Sequence, residues 1–203
     1  MLYNLLTGFS DTYSFLNFFN FLTVRTGLAT LTSMIVVFLI GDKFINYFSN
    51  KKITNPIRSD GPENHLIKKI GTPTMGGVLI LIGLFSGVFL WADLNNPYNW
   101  LLIFITFSFG ILGAFDDYKK IKNKNSKGIS SKIKLIVQIG LCLISLLILY
   151  NFIDSEQTTN LYFPFFKNLV INLGWFFIPF YLFVIVGSSN AVNLTDGLDG
   201  LAT

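Results

Sequence analysis

An all-α integral membrane protein with about five transmembrane helices is the fold this chain predicts, on three observations. Of its 203 residues 52% are hydrophobic and only 13% are charged, where ordinary soluble domains carry roughly a quarter charged residues. Five separate stretches are apolar over close to the length of about 20 residues needed to cross a hydrocarbon core. The basic residues gather in two of the loops between those stretches. Mean hydropathy is +0.57. Helices are the expected form of each span, because a lone segment in lipid must satisfy its own backbone hydrogen bonds.

The chain opens with MLYNLLTGFSDTYSFLNFFNFL, which has no basic leading region and no small-residue cleavage site. It does not read as a cleaved signal peptide. Residues 1–26 are expected instead to lie as an aromatic-rich segment at the membrane interface, followed by a polytopic domain over 27–203. The spans are expected at about 27–48, 75–94, 98–115, 132–152 and 171–188. Asp42 and Lys43 interrupt the first near its end, and a helix-packing ion pair between them would accommodate both charges. The third is on the short side. Cys142 is the single cysteine, so neither a disulfide framework nor a cysteine metal site is available.

Orientation follows from the cations. Lys51, Lys52, Arg58, Lys68 and Lys69 fall after the first span. Lys119, Lys120, Lys122, Lys124, Lys127, Lys132 and Lys134 fall in or border the loop after the third. The loop at 93–99 has no cation and that at 153–170 has only Lys167. The positive-inside rule makes the two basic loops cytoplasmic, which places the N-terminus outside and the C-terminus in the cytoplasm. Topology then collects the three most polar, glycine-rich segments at one membrane face. They are RSDGPENHLIKKIGTPTMGG (58–77), FDDYKK (115–120) and SSNAVNLTDGLDGLAT (188–203). A shared site is the economical explanation.

Asp116 and Asp117 are expected at the C-terminal end of a helix, where the macrodipole is already negative and carboxylates do not serve as caps. Adjacent acids at a low-dielectric border are costly. A divalent cation would neutralise them, and Mg²⁺ is typically held by one or two carboxylates plus substrate phosphates. Exposure to water or pairing with Lys119 and Lys120 is the structural alternative. In IGTPTMGG, Thr72 is a candidate N-cap with Pro73 at the first helical position. Free N–H groups there suit a phosphate, and Gly76 and Gly77 would let backbone or ligand come close. Capping and tight helix packing account for the same residues. His65, the only histidine, is given no catalytic role. Asn193, Asp196 and Asp199 are spaced i, i+3, i+6 along one helical face. They suit the donors of a sugar or base, or a second metal shell.

Together these segments resemble the family of phospho-N-acetylmuramoyl-pentapeptide transferases, in the order and at the membrane positions of its cytoplasmic signatures. These enzymes are part of the polyprenyl-phosphate N-acetylhexosamine-1-phosphate transferase superfamily, glycosyltransferase family 4. The resemblance runs from about residue 25 onward. It implies a Mg²⁺-dependent phosphotransferase of the bacterial cytoplasmic membrane, with its active face cytoplasmic. Such an enzyme moves phospho-MurNAc-pentapeptide from UDP-MurNAc-pentapeptide to undecaprenyl phosphate, giving lipid I and UMP in the first membrane step of peptidoglycan synthesis. The partners implied are those two substrates and the bilayer, with no nucleic acid, and the family admits a homodimer. By the same resemblance Asp117 serves the metal and pyrophosphate, and Asp116 positions or deprotonates the lipid phosphate, with a share in the metal open to it. A nucleophilic aspartate is a rival scheme. Lys69, Thr74, Asn193, Asp196 and Asp199 match positions lining the nucleotide and sugar pocket, and Lys120 and Lys132 are candidates for holding phosphate.

The family has about ten spans, so this chain corresponds to the N-terminal half of a ten-helix transferase. A third aspartate and a histidine-rich loop are expected beyond Thr203, and the 203-residue chain alone is expected to be inactive. The nearest alternative is a UDP-GlcNAc:polyprenyl-phosphate GlcNAc-1-phosphate transferase. Alternatives of another class are a non-catalytic membrane scaffold and an ion transporter, the latter predicting acids near mid-span rather than at helix ends.

Overall fold

The computed structural model describes residues 2–51, 75–123, 128–152, 158–163 and 165–195, in two compact units, Met1–Ser130 and Ser131–Thr203. The first contains α1 (Leu2–Gly8), a 3-10 turn (Ser14–Asn20), α2 (Leu22–Asn50), α3 (Gly76–Trp91) and α4 (Pro97–Asn123). Its main helix pair is α2 with α3. Gly83 and Gly87 sit one turn apart on the same face of α3, against Ala29, Ser33 and Val37 of α2. A Cβ on Gly87 would come 2.7 Å from the Ala29 carbonyl oxygen, so only glycine allows the backbones this close. In lipid, where apolar side chains gain little by leaving hydrocarbon, such small-residue contacts carry helix association. At the far end of α3, Trp91 Nε1–H donates to Thr32 Oγ1 at 2.9 Å, and its ring stacks on Phe19 with centroids 5.9 Å apart.

The N-terminal segment is thereby tied to this pair. Leu16 of the 3-10 turn is buried, and the Arg25 guanidinium lies 4.2 Å from the centroid of the Tyr3 ring. Arg25 lies in the first turn of α2, which begins at Leu22, five residues before the expected boundary at 27. Asp42 and Lys43 lie within α2 and are both exposed. No ion pair joins them: neighbours in sequence point in different directions from a helix, which corrects the expected pairing. α3 and α4 meet through Phe85 with Phe107 and Phe89 with Trp100, at centroid separations of 6.0 and 6.4 Å.

The second unit contains α5 (Ser131–Phe152), β1 (Asn160–Phe163), β2 (Phe166–Asn172), a 3-10 turn (Gly174–Phe176) and α6 (Phe177–Thr195). α5 and α6 are joined by side-chain hydrogen bonds that the apolar pattern conceals. Gln138 and Ser145 are buried. Asn190 Nδ2 donates to Gln138 Oε1 at 2.9 Å, and the Ser145 and Tyr181 hydroxyls are 2.9 Å apart. Interhelical polar pairs of this kind contribute on the order of 1 kcal/mol. Asn190→Ala, which strands the buried Gln138 carbonyl oxygen, is expected to cost about that much in unfolding from micelles. Gln138→Leu/Asn190→Leu, which removes both partners, is expected to recover part of it.

β1 and β2 form an antiparallel hairpin with Asn160 opposite Asn172 and Tyr162 opposite Val170. Residues 153–170 read as a plain loop and 171–188 as a span, so this is a correction. Tyr162, Phe166, Val170 and Ile171 are strand formers, and Asn172 Nδ2 donates to Asn160 Oδ1 at 2.9 Å to close the open end of the ladder. The strand takes residues 171 and 172, and α6 starts later and runs further than expected.

Among the described residues four helices are long and apolar enough to cross a membrane: Leu22–Asn50, Pro97–Asn123, Ser131–Phe152 and Gly174–Asn193. Gly76–Trp91 is a shorter apolar helix; its 16 residues extend about 24 Å at 1.5 Å per residue, against a core of about 30 Å. Large apolar side chains face outward along the long helices, among them Phe38, Leu39, Ile136 and Phe183. The chain is a mostly helical multi-pass membrane protein, close to the expected five spans.

Candidate active site

The aspartate pair lies inside α4 rather than at its end. The helix runs from Pro97 to Asn123, about two turns beyond Asp117. The extension has a local cause. Lys120 Nζ lies 2.7 Å from Asp116 Oδ2 and 3.1 Å from Asp117 Oδ1, pairs at i,i+4 and i,i+3 with the acid N-terminal to the base, the favourable orientation. Lys120 and Lys122 then occupy the last turn, where cations complement the helix dipole. One ammonium thus bridges two neighbouring carboxylates, and the cluster carries a net charge of about −1 at neutral pH.

The two acids are held differently. Asp116 Oδ1 accepts the backbone N–H of Ile129 at 2.7 Å, while its Oδ2 takes Lys120. Its side chain is 14% exposed, against 30% for Asp117. Asp117 shares only Lys120, and its Oδ2 has no hydrogen-bond partner among the described residues. Lys120 has three N–H donors, two of them directed at carboxylates, leaving one for a further acceptor. An anionic group meeting this cluster finds a fixed cation, and a cation finds one carboxylate oxygen free. No group of three or more His, Cys, Asp or Glu side chains is gathered among the described residues. Two carboxylates suffice for Mg²⁺ only when substrate phosphates and water complete its shell, so the donor set fits a substrate-borne ion.

The described residues bring together Asp116, Asp117 and Lys120. Lys132 lies in the first turn of α5 and Asn193 near the end of α6, both exposed and both in the second unit. Lys69, Thr74, Asp196 and Asp199 lie outside the described residues, as do His65 and the expected Thr72–Pro73 helix start. α3 begins at Gly76, behind Met75 at φ 65°. A left-handed conformation costs a residue with a Cβ roughly 1–2 kcal/mol, so the turn entering this helix is strained. A Cβ on Gly76 or Gly77 would meet nothing within 4 Å among the described residues. Tight helix packing explains Gly83 and Gly87, where an added Cβ would meet α2 within 3.0 Å.

Sequence reasoning missed Gly128 and Ile129. The contact to Asp116 comes from a main-chain N–H, which any residue but proline could supply, and Gly128 was the only signal. The small-residue pair in GLFSG (83–87) was legible as a close-approach motif and was missed as well.

Comparison with known proteins places the chain among transferases. Residues 69–81 match signature 1 of phospho-N-acetylmuramoyl-pentapeptide-transferase, a stretch that includes Lys69, Thr74 and the strained Met75. A phospho-N-acetylmuramoyl-pentapeptide-transferase of Pelagibacter ubique (strain HTCC1062) is 65% identical over 203 residues, covering 100% of this chain and 56% of the relative. One of Thermodesulfovibrio yellowstonii (strain ATCC 51303 / DSM 11347 / YP87) is 48% identical over 202 residues, again 100% of this chain and 56% of the relative. The chain thus spans a little over half the length of the curated relatives it matches. The glycosyl transferase family 4 model covers residues 99–203, α4 from its third residue onward together with the second unit. With the aspartate pair and more than half of its residues inside that match, the chain belongs to glycosyl transferase family 4.

Proposed function

We propose that the protein carrying this chain transfers phospho-MurNAc-pentapeptide from UDP-MurNAc-pentapeptide to undecaprenyl phosphate, producing lipid I and UMP. The observation that carries this reading is the Asp116–Asp117–Lys120 cluster on the polar end of an apolar helix, where a lipid-borne phosphate and a soluble nucleotide sugar can meet. In the reaction an oxygen of the lipid phosphate attacks the sugar-bearing phosphorus of the nucleotide. The pyrophosphate P–O bond to the uridine phosphate breaks, and UMP leaves with that electron pair. A phosphate monoester is largely ionised near neutral pH, its second pKa being about 6, so little base catalysis is required. Positioning and charge stabilisation dominate phosphoryl transfer.

Lys120 holds one positive charge against the reacting phosphates through its remaining N–H. Asp117 would hold Mg²⁺ together with the substrate phosphates, its Oδ2 being open among the described residues. When bound, the ion neutralises charge developing on the pyrophosphate oxygens. Asp116 keeps Lys120 in place. Lys69, Thr74, Asn193, Asp196 and Asp199 would line the nucleotide and sugar pocket, with Lys132 on a phosphate. The basic loops then face the cytoplasm of a bacterial inner membrane, with the N-terminus outside. A homodimer fits the family.

The names borne by the relatives and by the matched signature favour the pentapeptide substrate over UDP-GlcNAc. The test uses the full-length protein in nanodiscs with undecaprenyl phosphate and Mg²⁺, following UMP release and the lipid product. UDP-MurNAc-pentapeptide is expected to be consumed at a rate at least about 100-fold above UDP-GlcNAc, the discrimination a site built around substrate polar groups provides. Preference for UDP-GlcNAc would transfer the protein to the sister activity, and no UMP from either would leave a scaffold or transporter.

A further inference from the structure

The mechanism above gives Asp116 no contact with substrate, yet its carboxylate is the most constrained group in the cluster. Oδ1 accepts the Ile129 N–H at 2.7 Å, and Oδ2 accepts Lys120 at 2.7 Å. Gly128, the residue before Ile129, is pressed against the same carboxylate. A Cβ added there would collide with Oδ1 and lie 2.8 Å from the carboxyl carbon and 2.9 Å from the Lys120 Cε. The two partners are thirteen positions apart in sequence, so the contact fastens the chain after α4 back onto the helix, two residues before Ser131 opens α5.

We infer that the Gly128–Ile129 turn is a positioning element: it fixes the Asp116 carboxylate, which in turn aims the Lys120 ammonium at the reacting phosphates. The inference deepens the proposed transferase reading and rests on it. Its physical basis is the geometry of the carboxylate. A charge-assisted N–H contact is about twice as strong as a neutral one and is directional, so it selects one rotation of Asp116. With Oδ1 turned toward the turn, Oδ2 is left toward Lys120. Without the anchor that rotation is no longer selected, and Lys120 can relax toward Asp117, closing the carboxylate oxygen through which Asp117 would bind the metal. Only glycine leaves room at 128 for so short an approach.

Two measurements on the full-length protein test this. Amide exchange reports the anchor: the Ile129 N–H is expected to exchange at least about 10-fold faster in Asp116→Ala and in Gly128→Ala than in the wild type, the loss of one charge-assisted bond. Steady-state kinetics report the role. Gly128→Ala is expected to lower kcat by about 10- to 100-fold with little change in KM for the nucleotide sugar, because alignment in the transition state is lost rather than binding. A merely structural role would shift the unfolding midpoint and leave kcat of the folded fraction unchanged. Equal Ile129 exchange in wild type and Asp116→Ala overturns the anchor. Full kcat in a folded Gly128→Ala with lost protection overturns the positioning role. Coupled exchange in a wild-type protein that releases no UMP upholds the anchor and overturns the transferase reading instead.

Discussion

Asp117→Asn is expected to reduce kcat of the proposed transfer reaction in the full-length protein by about 10³-fold, the scale of removing one preorganised electrostatic group from a phosphoryl- or acyl-transfer site. The substitution keeps the shape of the side chain and deletes its charge. α4 loses one of the two ion pairs made by Lys120, at 3.1 Å, and keeps the shorter one to Asp116 at 2.7 Å. The lost pair is partly exposed, so its contribution to stability is at most about 1 kcal/mol, and the unfolding midpoint is expected to move little. What disappears is the carboxylate oxygen available to a cation beside the substrate phosphates. The required Mg²⁺ concentration should therefore rise together with the fall in kcat. UMP release measured against Mg²⁺ concentration checks both, and wild-type turnover in Asp117→Asn would sink the assignment of this acid to the metal.

Gly87→Ala is expected to destabilise the α2–α3 pair by about 1–3 kcal/mol, the cost of overpacking a tight contact. The added Cβ would fall 2.7 Å from the Ala29 carbonyl oxygen, which is backbone and cannot step aside, and 2.6 Å from Ser33 Oγ. Gly83→Ala should cost less. Its Cβ would meet the Val37 Cγ2 methyl at 2.6 Å, which can rotate, and the Ser33 carbonyl oxygen only at 3.2 Å. Gly27→Ala, also in a helix but with nothing within 4 Å, should be neutral or stabilising by up to about 1 kcal/mol through backbone entropy. Denaturant unfolding in micelles reads the order, with helicity and tryptophan emission as signals, since Trp91 is buried against Phe19 and Thr32. A Gly27→Ala variant as damaged as Gly87→Ala would exclude close approach as the cause. The same contact bears on the site, because α3 links the signature segment at its N-terminus to α4 through Phe85 and Phe107.

The places where reading the residues succeeded and failed have a common physical origin. Long apolar runs report spans directly, because lipid admits only self-satisfied helices, and all five expected spans appear as helices or most of a helix. Their ends were less legible. At α4 the charges of FDDYKK read as a boundary, although i,i+3 and i,i+4 pairing turns those same charges into helix formers. At 160–172 an aromatic and β-branched stretch beside a span is apolar by composition, and only strand pairing distinguishes a hairpin from the start of a helix.

The candidate site divides along the same line. Residue identity and order alone carried the membrane class, the family and the choice of Asp116 and Asp117, since these depend on composition, spacing and which side chains bear charge. The tertiary structure decided that the two acids are unequal, one fastened through Ile129 and Lys120 and the other open on one oxygen among the described residues. It also decided that Gly83 and Gly87 serve packing against α2. These distinctions rest on which main-chain atoms from distant positions come within hydrogen-bonding or van der Waals reach. Every residue carries the same backbone groups, so the sequence leaves no mark of where they will meet.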